Sequence, residues 1–77
     1  MSKQWTFVTS ANIEAVAFKQ ITPGAETGEM HIRFKNGRIY VYYGVGTEIY
    51  DQFLKAESQG KFFHAHIKNN FTYNELQ

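Results

Sequence analysis

Between Glu29 and Tyr43 (EMHIRFKNGRIYVYY) basic and aromatic side chains recur at a spacing of two. Alternate residues of a strand share one face. His31, Arg33 and Lys35 therefore project together, and so do Arg38, Tyr40 and Tyr42. That mixture suits single-stranded nucleic acid, whose bases stack on aromatic rings while Lys and Arg follow the phosphates. Each stacked base contributes roughly 1–3 kcal/mol. Lys61, further along, adds a positive charge. The candidate contact set is thus His31, Arg33, Lys35, Arg38, Tyr40, Tyr42 and Lys61. Two other uses fit the same residues. The tyrosines can shield a sheet face, with Arg33 stacked on Tyr40 as a cation–π pair, or the face can pair with a second copy.

Other constellations carry weaker chemistry. Ser2, Ser10 and Ser58 are the only serines, and none lies in a Gly-x-Ser-x-Gly elbow. No spacing singles out an acid–base pair, and a chain this small has little room for a closed pocket, so no enzyme is expected. His64 and His66 are two apart, and helix neighbours lie three or four apart, so they diverge on a helix. With no cysteine to complete a site, no metal and no cofactor are expected. One of these histidines is expected to be exposed and the other half-buried. Gly44-Val45-Gly46-Thr47 superficially resembles a phosphate loop but lacks the following Lys-Ser/Thr. It reads instead as a strand-to-helix turn.

The elements that must position these groups begin with a hairpin. Asn36-Gly37 between two alternating runs signals a two-residue type I′ turn. Such a turn opposes Lys35 to Arg38, Arg33 to Tyr40, Ile32 to Val41, His31 to Tyr42 and Met30 to Tyr43. Cross-strand partners share a face, so Met30, Ile32, Phe34, Ile39, Val41 and Tyr43 form an apolar slab. The basic and tyrosine residues take the other side. Lys35 opposite Arg38 is unfavourable by itself and is relieved by an anion between them. Ile13 to Ile21 supplies a third strand, since a lone hairpin is marginal. The loop Thr22 to Gly28 follows it. Thr47 is the expected N-cap of a helix with the stripe Ile49, Tyr50, Phe53 and Leu54, which Gly60 ends. A second helix is expected over Lys61 to Asn69. The fold class is α+β: a three-stranded antiparallel β-meander followed by two short C-terminal helices packed on one sheet face.

Seventy-seven residues make one domain, 1–77, with a core of about 10–73 and an N-terminal arm, 1–9, in which the aromatic and β-branched run Trp5 to Val8 is either a strand or a packed arm. Eight Lys/Arg against seven Asp/Glu leave a net charge of +1, so any hold on phosphate comes from local clustering. The opening MSKQWTFV is too polar for a signal sequence, and no run approaches a membrane span. With no cysteine, that places the expected location in the cytoplasm, away from membranes.

Taken together, Ser10-x-x-Ile13, Ile32-Arg33-Phe34-Lys35-Asn36-Gly37, Tyr40-x-Tyr42, Gly44-Val45, Tyr50-x-x-Phe53 and Ser58-x-Gly60-Lys61-Phe62-Phe63-x-x-x-Ile67 form a pattern. It resembles the KTSC domain, named for its place at the C-terminus of some lysyl-tRNA synthetases. The domain also occurs as small stand-alone bacterial and phage proteins. The match runs from about residue 10 to 73. Gly46 departs from it, since family members often have proline there, and the Thr22–Gly28 loop is longer. The synthetase context implies RNA, tRNA included, as a partner. The expected function is a small non-enzymatic module binding RNA or single-stranded nucleic acid. The alternatives are a protein-interaction module, as a small phage or bacterial regulator binding a host protein or as a homodimer, and a binder of a small anionic nucleotide-like ligand.

Overall fold

The computed structural model describes residues 5–76. Residues 1–4, the start of the expected arm, and Gln77 lie outside them. The sheet has five strands, not three: β1 (Thr6–Phe7), β2 (Ile13–Gln20), β3 (Thr27–Phe34), β4 (Ile39–Gly46) and β5 (Tyr73–Leu76). They lie in sequence order and every neighbouring pair is antiparallel. The three-stranded meander is therefore only the centre of the sheet. It would leave the outer edges of β2 and β4 with unpaired N–H and C=O groups. The arm covers one edge as β1, and the tail covers the other as β5.

Two helices are inserted between β4 and β5. α1 (Thr47–Lys55) begins after Gly46, with Thr47 already inside the helix rather than capping it. The Thr47 N–H is satisfied instead by the Glu26 carbonyl at 2.9 Å. α1 stops at Ala56, four residues before the expected Gly60, which itself lies inside α2 (Gln59–Phe62). The Ser58 hydroxyl caps α2 by accepting from the Lys61 N–H at 3.3 Å. α2 runs straight into a π-helical turn, Phe63–Ile67, so the second helix starts two residues early and widens midway.

The hairpin register differs from expectation by one residue. Arg33 faces Ile39, Ile32 faces Tyr40, His31 faces Val41 and Met30 faces Tyr42. The loop holds three residues, Lys35, Asn36 and Gly37. The Gly37 N–H donates to the Phe34 carbonyl at 2.9 Å, and the Phe34 N–H to Arg38 at 2.8 Å. Only Gly37 has a positive φ, +91°, which marks a type I turn followed by a left-handed glycine. Asn36 keeps an ordinary φ and accepts the Arg38 N–H on its side-chain oxygen at 2.9 Å. A slip of one residue exchanges the faces of a whole strand. Tyr40 and Tyr42 thus join Met30, Ile32 and Phe34 on the helix-covered side, and Ile39, Val41 and Tyr43 move to the opposite face, where Val41 is still buried.

The core follows from that side. Ile13, Val16, Met30, Ile32 and Tyr42 meet Phe53 of α1 and Phe63 and Ile67 of the π turn, all buried. Phe18 stacks on Tyr50 at 4.8 Å. β4 gains one residue against β3 between the Met30–Tyr42 and Gly28–Val45 pairs. Gly44, at φ +74°, absorbs it, so Val45 returns to the core side and is fully buried.

Candidate functional site

The helix-covered face is not closed along its whole length. Beside the hairpin tip the sheet and the π turn diverge around a cleft of about 470 Å³. Phe34, Tyr40 and Tyr42 line it from β3 and β4, Phe63 from the π turn and Tyr73 from β5. These rings support one another edge to face. Phe34 meets Tyr40 at 5.6 Å and Phe63 at 5.7 Å, and Tyr42 meets Phe63 at 5.5 Å. Tyr73 lies on Tyr42 at 5.4 Å with planes 30° apart. Such contacts add about 0.5–1.5 kcal/mol each beyond burial, which fixes the wall before any ligand arrives.

Lys35, Arg38, His64 and Lys68 also line the cleft, and among the described residues no Asp or Glu does. A carboxylate does reach one of these groups: Glu75 Oε2 lies 3.5 Å from Arg38 Nη1 in an exposed pair. Pairs of that kind contribute about 0–1 kcal/mol, so an incoming phosphate competes for Arg38 on favourable terms.

Of the seven residues expected to form the contact set, the structure brings together Lys35, Arg38, Tyr40 and Tyr42. His31 and Arg33 lie on the opposite face, a direct consequence of the register. His31 is 6% exposed and pairs across the strands with Ala17 and Val41. Arg33 lies 3.6 Å from Glu14 and 6.0 Å from the centre of the Trp5 ring, not on Tyr40. The face expected to be open and basic is thus divided between two sides of the sheet. Lys61 lies outside the cleft, in an adjoining groove. Lys35 sits within the turn, so it does not oppose Arg38 as a strand pair.

Phe63, His64, Lys68 and Tyr73 were not singled out for the site by the sequence. His64 and Lys68 are four apart, next to the buried pair Phe63 and Ile67. That spacing is the one signal that places two basic groups at the margin of a packed helix. His64 and His66 are both exposed, and the His66 ring packs on Phe62 at 4.5 Å. Among the described residues no three His, Cys, Asp or Glu side chains gather to hold a metal ion. No helix among them is long and apolar enough to cross a membrane.

Burial pushes the Tyr42 phenol up from 10.0 to about 12, with further increments from the Tyr73 and Tyr40 phenols. Tyr42 is therefore neutral at physiological pH and adds no negative charge to the cleft. A raised folded value favours the protonated form, so its stabilising effect is intact below pH 10 and is lost as pH rises toward and through 12. The expected loss is at most about 2–3 kcal/mol. Urea denaturation from pH 8 to 12 measures it, and Tyr42→Phe should flatten this part of the profile. Burial also raises Tyr50, partly offset by its hydrogen bond with Thr6, so the variant should keep a smaller residual slope. A profile that Tyr42→Phe leaves unchanged would mean the phenol is solvated.

Three comparisons bear on this geometry. The family model for the KTSC domain matches residues 9–71. A protein of Tsukamurella paurometabola is 36% identical over 64 residues, which cover 83% of this chain and 88% of that relative. The crystal structure of a KTSC domain protein from Yersinia pestis superposes with a TM-score of 0.83 at 26% identity. That likeness covers 99% of this chain and 100% of the other, so it extends over β1 and β5, which the family match leaves out.

Proposed function

We propose that this chain, which belongs to the KTSC domain family, is a non-enzymatic module that binds single-stranded nucleic acid, RNA in particular, through the cleft at the hairpin tip. The observation that supports this reading most is the make-up of the cleft. Five aromatic rings and four basic or titratable cationic side chains line it without a carboxylate. Its 470 Å³ falls within the range of pockets that enclose a small ligand, which suits one nucleotide unit better than a folded duplex. A base against Tyr73 and Tyr40 leaves its phosphate near Arg38 and Lys68. The reading needs no bond-making group, because stacking and charge supply the affinity. The net charge of +1 keeps non-specific attraction weak, so the hold depends on this local cluster.

NMR titration with short single-stranded RNA and DNA at low and physiological salt tests the reading. Resonances of Lys35, Arg38, His64, Lys68 and Tyr73 should move, and affinity should fall steeply with salt through counterion release. A spectrum unmoved by millimolar oligonucleotide at low salt would remove it. Shifts confined to Phe7 and Tyr43, dependent on protein concentration, would favour self-association through the opposite face instead.

A further inference from the structure

The cleft does not end at the hairpin tip. Ala11, Asn12, Gly60 and His64 line both the cleft and a second, more open groove, so the two are continuous around the Asn12–Gly60 margin. The walls of this groove are the 9–12 loop and the start of α2. They stand close together: a Cβ on Gly60 would lie 3.7 Å from the Ser10 hydroxyl oxygen. The lining changes character at this margin. Aromatic rings give way to Ser10, Asn12, Glu57, Ser58, Gln59 and Lys61.

We infer that this polar groove is a second subsite, which takes the sugar and phosphate of the neighbouring nucleotide and prefers ribose to deoxyribose. The inference rests on the nucleotide reading of the cleft. Ser10 Oγ accepts from the Asn12 and Ile13 N–H groups at 3.4 Å, and Ser58 Oγ from Lys61 at 3.3 Å. Each hydroxyl bound in this way still has its own O–H to donate. Those two donors and the Lys61 ammonium match phosphate oxygens. Glu57 is negative and repels phosphate, but it is the acceptor that a ribose 2′-hydroxyl can satisfy and a deoxyribose cannot. Charge thus orients the chain, with phosphate toward Lys61 and sugar toward Glu57. The same arrangement gives Lys61 a place in the contact set despite its distance from the rings.

Uridine monophosphate, the dinucleotide pUpU with one phosphate per residue, and its deoxy counterpart pdUpdU, titrated into the full chain at one low salt concentration, test this. Uridine monophosphate should move only the cleft resonances. The dinucleotide pUpU should also move Ser10, Asn12, Ser58 and Lys61, and should bind about tenfold tighter, as one charge-assisted contact set allows. Lys61→Gln should remove most of that gain while leaving uridine monophosphate binding unchanged. Glu57→Ala, which removes the acceptor altogether, should bring pUpU and pdUpdU together. If the monophosphate occupies the cleft but pUpU binds no tighter and the groove stays silent, the subsite is overturned and the cleft stands. Equal binding of pUpU and pdUpdU to the unaltered chain would overturn the ribose preference. If none of the three compounds binds, the nucleotide reading falls and the subsite with it.

Discussion

Phe53→Ala is expected to cost about 3–5 kcal/mol, the usual range for removing a fully buried aromatic ring. Phe53 is wholly buried. It holds α1 against the sheet and meets Phe62 at 6.2 Å, so its loss also loosens the segment that carries one wall of the cleft. A domain of this length has about 4–12 kcal/mol of stability in all, at roughly 0.05–0.15 kcal/mol per residue. The variant should therefore lose a large share of that stability, and all of it if the domain lies at the low end of the range. Urea denaturation gives the number. Lys55→Ala, an exposed change on the same helix, should stay within about 0.5 kcal/mol. A loss below about 1 kcal/mol for Phe53→Ala, with an unchanged urea slope, would show that α1 does not close the core.

The sequence makes this helix legible because Ile49, Tyr50, Phe53 and Leu54 form one stripe, a signal that spans two turns. β2 is legible as well, despite an Ala- and Glu-rich composition, because the hairpin needs a third partner. The hairpin itself is visible but its register is not. Asn-Gly serves both a two-residue I′ turn and a three-residue loop with glycine left-handed, and local propensity separates them poorly. Tertiary packing decides. The longer loop buries Tyr42 against Phe63 and joins Phe34, Tyr40 and Tyr73 into one cluster, which the other register would turn to solvent. β1 is legible only as one of two alternatives for Trp5 to Val8, and β5 escapes altogether. Two residues and four residues, mostly exposed, have no periodicity to read, and they form because an existing sheet offers them an edge.

The same slip explains the site. Lys35, Arg38, Tyr40 and Tyr42 can be recognised from residue type, and they do come together. Their neighbours cannot be read locally, because His64, Lys68 and Tyr73 reach the hairpin tip only once the chain has passed through α2 and back along β5. His31 and Arg33 are lost from the set because the turn holds one residue more than expected.

Replacing Arg38 and Lys68 together by Ala is expected to have the largest effect on binding. If each meets one phosphate, the dependence of log affinity on log salt should flatten by about 1.4, from roughly 0.7 per contact on a single strand. The control is Lys19→Ala with Arg33→Ala, which removes the same two charges from the other side of the sheet. β2–β3 pairing puts Lys19 opposite Glu29 and Ala15 opposite Arg33, away from the aromatic wall. That pair should change the slope by much less. Glu75→Gln works in the opposite direction: it releases Arg38 from its 3.5 Å partner and should strengthen binding severalfold at low salt. Fluorescence anisotropy with a labelled single-stranded RNA, repeated across salt concentrations, measures all three. Equal flattening by the two double variants would mean that the strand follows general charge and not the cleft. A distinct loss at Arg38 and Lys68, with a gain at Glu75, would fix the phosphate path along the hairpin tip, because the field of a chain carrying only +1 overall has no other means of telling one face from the other.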